Sequence, residues 1–444
     1  MLERKIYYGP REIMRFMGTA FLLLGAFFGV FSRGMVNASF AVLALWALLA
    51  FIAFGRGGMV PAPPRPYLAG LAAYFACYLL ASLCGHEVVR SLRFMGKIAY
   101  LLATGLTVWV ALSLTKGFAR KLVPYCYGAG LFLWAILSLR EQGFCVACLR
   151  AKADLGIIES GAVLSQVVPL MVGALALAVG AGAKKRLAFF SLSLAFGALC
   201  LYLNCARIAL IAAPLLSAMM FLAFRRFFGK AWTLAVCLAV LVLVGAAFLD
   251  PAVRGRFQAM FDDKSASNHV RYARWSNGWD VFKAHPLLGV GPDAVPNAPY
   301  DSLGTERGPR EEHDKYYHAH HVFITVLAEA GVIGFFGFLA LHILPLLYVW
   351  PYRRSPDPIT RFYVWGAVVV FLQLFLNGLT DNVFSLKPLM YVYWTVTSIA
   401  MYGAKCGSVN GAERGPAQEA GELSPAGEES GEHPINGETR ESPG

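Results

Sequence analysis

Apolar runs of bilayer-spanning length follow one another along most of the chain, separated by short polar breaks. A hydrocarbon layer about 30 Å thick is crossed by about 20 apolar residues in a helix, and the pattern predicts helices near 13–31, 35–54, 67–84, 94–114, 122–139, 161–181, 187–203, 208–224, 231–249, 322–350, 361–379 and 388–403. The first run follows basic residues but lacks a small-residue cleavage signal, so it reads as an uncleaved helix. Two segments depart from the pattern: residues 250–321, a long polar stretch between spans, and residues 404–444, rich in Glu, Gly, Pro and Ser.

The expected organisation is therefore all-α and polytopic, with about twelve transmembrane helices and one large extramembrane loop. Residues 1–249 form a bundle of about nine helices, 250–321 the loop, and 322–403 three further helices. Residues 404–444 form a tail whose composition cannot bury a core. Within the loop, "RYARWSNGWDVFKA" (271–284) spaces its aromatic and apolar residues as a short amphipathic helix at the interface would. "HPLLGVGPDAVPN" after it is punctuated for turns.

Composition agrees: 57% of residues are hydrophobic and 15% charged, with a mean hydropathy of +0.55. Such a chain has too little charge to cover a water-soluble surface. The net charge of +12 is explained by topology. With the N-terminal Arg4, Lys5, Arg11 and Arg15 in the cytoplasm, every second connection carries a basic cluster. These clusters are Arg56 and Arg65; Lys116, Arg120 and Lys121; Lys184, Lys185 and Arg186; Arg225, Arg226 and Lys230; and Arg353, Arg354 and Arg361. The alternate connections carry about half as many, the bias that sets orientation. Residues 250–321 then lie outside the cytoplasm and the tail inside, and no nucleic-acid partner is needed to account for the charge.

Most cysteines lie within spans as small apolar fillers. Cys145 and Cys148 form a lone C-x-x-C in an outer connection, readable as a loop-closing disulfide or as two idle thiols; one such pair does not make a zinc site.

The ionisable residues that hydropathy does not explain gather on the outer side. Arg207, in "YLNCARIALIAAP", sits in a tight hairpin at the membrane boundary. It reads either as a snorkelling helix end or as an anion ligand. Arg271 and Arg274 pose the same choice on the loop helix, and the planar guanidinium fork suits phosphate. Six of the nine histidines fall in 250–321. In "HDKYYHAHH", His313, Asp314, His318, His320 and His321 read as solvated side chains, as a metal site, or as the source of a general base, since neutral imidazole accepts a proton near pH 7.

Taken together, "RYARWSNGWDVFKAHPLLGVG" and "HAHHVFITVLAEAGVIG" resemble the signature of the O-antigen ligase and polymerase superfamily. Arg271, Trp275, Pro286, Gly289 and Gly291 match its first motif; His320, Gly331 and Gly334, with Glu329 in a Glu-x-Gly position, match its second. Arg207 falls where the family places an Arg at the outer end of a mid-chain helix. His321 departs from the pattern, which has an amide or hydroxyl residue there.

The resemblance implies a GT-C-like, multi-pass glycosyltransferase of the bacterial inner membrane with its active site on the periplasmic face. Its donor would be an undecaprenyl-diphosphate-linked glycan and its acceptor a sugar hydroxyl of the lipid A core. Arg207 and Arg271 would hold the diphosphate, Arg274 and His318 would make further contacts, and His320 would deprotonate the acceptor as the anomeric centre inverts. No cofactor and no metal are implied, since the acidic residues of the loop are scattered and arginines take the place of a divalent ion. A polymerase or a protein O-oligosaccharyltransferase of the same superfamily would share these residues. A transporter or flippase fits less well, as no inverted repeat or Pro/Gly-broken span pair is evident.

Overall fold

Wherever an apolar run of the prediction falls within the described residues, it folds as a helix. A computed structural model describes residues 9–54, 60–141, 155–229, 249, 251–258, 266–295 and 319–413. The helices are α1 (Pro10–Phe28), α2 (Arg33–Phe54), α3 (Arg65–Cys84), α4 (Val88–Leu114), α5 (Val123–Glu141), α6 (Ile157–Gly180), α7 (Lys184–Asn204) and α8 (Arg207–Phe224). In the loop lie α9 (Pro251–Gln258) and α10 (Ala266–Ala284), followed by α11 (Val322–Val349), α12 (Pro358–Gly378) and α13 (Lys387–Glu413). Eleven of these occupy predicted spans. The twelfth, 231–249, lies outside the described residues apart from position 249, as do Cys145 and Cys148.

The protein is an all-α, multi-pass membrane protein. Among the described residues, nine helices, α2–α8, α11 and α12, are long and apolar enough to cross a membrane. Many of their large side chains point outward, including Leu45, Leu48, Leu49, Phe51 and Ile52 of α2, a patch that only lipid or another protein could cover. The last helix is more polar because it is shielded from lipid: Tyr391–Ala400 of α13 are all buried, with the hydroxyls of Thr395, Thr397 and Ser398 inside the bundle. It also outruns its predicted end at 403, continuing to Glu413. At Lys405 the ammonium reaches back to the Ala62 carbonyl (2.6 Å), and residues from Cys406 onward separate as a second unit.

Close packing depends on small residues, as is usual for helices that meet within lipid. A Cβ on Gly70 of α3 would lie 2.8 Å from the Ala340 carbonyl oxygen of α11, and one on Gly337 would lie 2.9 Å from Cys77 Cβ. Helix α6 is buried along nearly its whole length. Gln373 of α12 ties to it through Nε2, which donates to Ala162 O (2.7 Å) and Ser165 Oγ (3.1 Å).

Helix α11 is broken at Gly331, whose φ of 62° and ψ of −166° lie in a region open essentially to glycine alone. In an unbroken helix the Val332 and Ile333 N–H groups would bond to the Ala328 and Glu329 carbonyls, four residues back. Here the turn after α10 enters the gap. Val332 N–H donates to Pro286 O (2.9 Å) and Ile333 N–H to Leu287 O (3.2 Å), while Val290 and Gly291 N–H donate to Ala328 O (3.0 Å) and Glu329 O (2.9 Å). Four backbone groups released by the break thus find partners, as the apolar surroundings require. The Val290 carbonyl then accepts from His86 N–H (3.0 Å), and Arg90 Nε donates to Asp293 Oδ2 (3.2 Å), tying the turn to the α3–α4 hairpin.

Gly331→Ala is therefore expected to lower stability by at least about 1–3 kcal/mol, since its Cβ would fall 2.3 Å from the Leu287 carbonyl carbon and oxygen. Gly96→Ala, in α4 with nothing within 4 Å of the added carbon, is expected to be neutral or slightly stabilising. Thermal unfolding of both variants in detergent checks the contrast.

Candidate functional site

The break in α11 and the inserted turn fix the end of the bundle on which Arg207, α10 and His320 meet. Arg207 is placed by a two-residue connection. Cys205 takes a left-handed conformation (φ 49°) to end α7, Asn204 Nδ2 donates to Ile157 O (3.1 Å), and Asn204 Oδ1 accepts from Ala206 N–H (3.2 Å). The chain turns at once into α8 with Arg207 as its first helical residue. A cation at a helix N-terminus runs against the usual preference, so guanidinium and helix dipole together make this corner strongly positive.

Helix α10 crosses beside it. Arg207 Nη1 donates to Asn268 Oδ1 (3.3 Å), and Asn268 is buried. Asn268, Arg271, Trp275 and Gly278 recur at helical three- and four-residue spacing and so share one face of α10. The far end of that stripe lies against the start of α11: Trp275 Nε1 donates to His320 O (3.5 Å), and a Cβ on Gly278 would meet Ile324 and Ala319 side-chain atoms. One face of a single helix therefore runs from Arg207 to His320 with Arg271 between them. Arg271 is half-buried and has no carboxylate partner among the described residues. Arg274, also half-buried, stands three residues further along.

His320 sits at φ 51°, a strained conformation for a residue with a side chain. Its Nδ1 lies 2.9 Å from Asp381 Oδ1, and Asn382 N–H donates to the same oxygen (2.8 Å). An ionised carboxylate only accepts, so the proton of this contact lies on Nδ1. An imidazole–carboxylate pair of this kind can hold the ring in one tautomer and stabilise an imidazolium. Asp381, in the α12–α13 connection, is not among the residues that the sequence singles out; its signal there is a lone acidic residue at the end of a span, in "GLTDNVFS". His318, His313 and Asp314 lie outside the described residues. Among the described residues, no three His, Cys, Asp or Glu side chains are grouped to hold a metal ion.

The neighbouring His321 has a different task. It is the N-cap of α11, and its Nδ1 accepts from Ile324 N–H (3.4 Å), the bond that an Asn or Ser cap would make. Its ring meets Trp275 edge-on at 5.5 Å. The unusual residue thus keeps the hydrogen bond that the sequence pattern assigns to an amide or hydroxyl.

Residues 189–339, from α7 into α11, match a family model described as O-antigen ligase. No curated protein matches the chain. The matched segment contains Arg207, Arg271, Arg274 and His320 but ends before Asp381.

Burial lowers the pKa of His321 below the ordinary 6.5, so the folded chain favours the neutral ring that can act as a cap. The stability that this position contributes is complete above pH 6.5 and is lost as the pH falls through the lowered folded value. His321→Asn, which caps without titrating, is expected to fold normally and to lose less thermal stability than wild type below pH 6.5. Parallel losses in melting curves from pH 7.5 to 5 would refute this role.

Proposed function

We propose, for a chain that belongs to the O-antigen ligase superfamily by its domain at residues 189–339, that it transfers a glycan from undecaprenyl diphosphate to a sugar hydroxyl of the lipid A core. The observation that carries this reading is the His320–Asp381 pair joined to Arg207 by one face of α10, on which Arg271 lies. Such a transfer requires cationic groups around a diphosphate leaving group and a base for the attacking hydroxyl, and no nucleotide.

In this mechanism Arg207 and Arg271 grip the diphosphate and stabilise the charge that develops on its bridging oxygen, with Arg274 and His318 as further contacts. Nε2 of His320 takes the acceptor proton as the hydroxyl attacks the anomeric carbon from the face opposite the phosphate, inverting that centre. Asp381 is a positioning residue that keeps the proton on Nδ1 and balances the imidazolium charge. The arginines fill the role that a divalent ion has in other diphosphate enzymes. The bias of Lys and Arg toward the other end of the bundle supports a periplasmic site in the bacterial inner membrane. The polymerase and protein-modifying activities of the superfamily differ in the acceptor, so acceptor choice is the test between them.

Transfer of labelled glycan from undecaprenyl diphosphate to purified core lipid, with donor binding measured alongside, checks each role. His320→Ala is expected to retain donor binding and lose about 10²–10⁴-fold in turnover. Asp381→Asn is expected to lose at least about tenfold, again with donor binding intact. Arg207→Ala and Arg271→Ala should weaken donor binding, and Lys at either position should restore only part, because an ammonium lacks the bidentate fork. Activity should survive EDTA. Full turnover in His320→Ala, or transfer only to a growing glycan or to a protein, would sink the reading.

A further inference from the structure

A concave site lies at the opposite end of the bundle from His320. Its cavity of about 430 Å³ is bounded by the segment before α5, the last turns of α6, and the starts of α7 and α12. That volume falls within the range of about 300–1,000 Å³ usual for small-ligand sites. The walls are apolar, with Leu122, Tyr125, Leu177, Phe190, Ile359 and Phe362 among them, while Arg120, Lys121 and Arg186 line it as cations.

Basic residues at this end follow from topology alone, and scattered ones would mean no more than that. Here, however, three gather on one cavity, and only one of them is engaged. Arg120 Nη1 lies 3.3 Å from Asp357 Oδ2 and donates to Thr360 Oγ1 (3.3 Å), while its backbone carbonyl accepts from Tyr363 Oη (2.6 Å). Asp357 is itself occupied as the N-cap of α12, accepting from Ile359 and Thr360 N–H and from the Thr360 hydroxyl. Lys121 and Arg186, both exposed, have no ion-pair partner among the described residues. Among the described residues, the cavity therefore carries two exposed cations without an acidic partner beside its apolar walls.

We propose that this cavity binds an anionic glycerophospholipid of the adjacent leaflet, with its phosphate at Lys121 and Arg186 and part of an acyl chain between α6, α7 and α12. Basic pockets between membrane helices recognise acidic headgroups in this way. A water-soluble phosphate ester would make no use of the apolar walls. A zwitterionic headgroup brings its own cation to a mouth that is already positive. The site is separate from the catalytic reading above and does not depend on it.

Full-length protein in detergent, titrated with phosphatidylglycerol or with phosphatidylethanolamine of the same acyl chains and read by native mass spectrometry, tests the assignment. Phosphatidylglycerol is expected to bind about 10–30-fold more tightly than phosphatidylethanolamine, a preference lost in the double variant Lys121→Ala/Arg186→Ala. The swap Lys121→Arg/Arg186→Lys, which keeps both charges, should preserve it, and His320→Ala should bind the lipid as wild type does. Equal binding of the two lipids, an unchanged preference in the double alanine variant, or displacement by glycerol phosphate at the lipid's own concentration would each overturn the proposal.

Discussion

A backbone amide within an apolar bundle has no water to fall back on, and the break in α11 exposes two donors and two acceptors at once. The turn at Pro286–Gly291 supplies partners for all four, so the loop is held by the strongest local requirement that the bundle imposes. The layout of this end of the bundle depends on this exchange. It sets the exit of α10 relative to α11, which aligns the Asn268–Gly278 stripe between Arg207 and His320. It also explains two glycines through geometry alone. Gly331 needs its positive φ, and a side chain on Gly289, also at positive φ, would collide with the α11 backbone at Glu329 and Ala330.

The electrostatics of the two ends differ in kind. At the Arg207 end, positive charge sits where helix geometry disfavours it, on the N-terminus of α8, and the Asp381 carboxylate pairs with His320. At the other end, Asp357 pairs with Arg120 while also capping α12, leaving Lys121 and Arg186 exposed. The two arrangements would respond differently to salt: ions screen exposed charges well and partly buried ones poorly.

Much of the fold was legible because a span announces itself by length and apolarity, and all eleven predicted spans that are fully described are helices. The end of α13 was less so. Its Tyr, Trp and Thr residues lower its hydropathy, yet other helices, not lipid, surround it, and neighbours of that kind leave no mark in a local window. In the site, Arg271 and His320 stood out as charged or titratable residues inside recurring motifs. Asp381 did not, since its meaning comes only from a partner sixty-one positions earlier and a lone acid beside a span is common. The role of His321 was hidden for another reason: a neutral imidazole nitrogen can replace an amide oxygen as a cap, an equivalence that residue names conceal.

The pairing of His320 with Asp381 also has a consequence for biogenesis. The two residues are carried by different hairpins, and the ribosome delivers the imidazole, the broken helix and the whole of α12 before the carboxylate emerges. A nascent chain that has already released α11 and α12 thus still holds its imidazole without the carboxylate that pairs with it. The pair forms only once the final hairpin is in place, so a chain stalled or truncated before that point lies in the membrane without it.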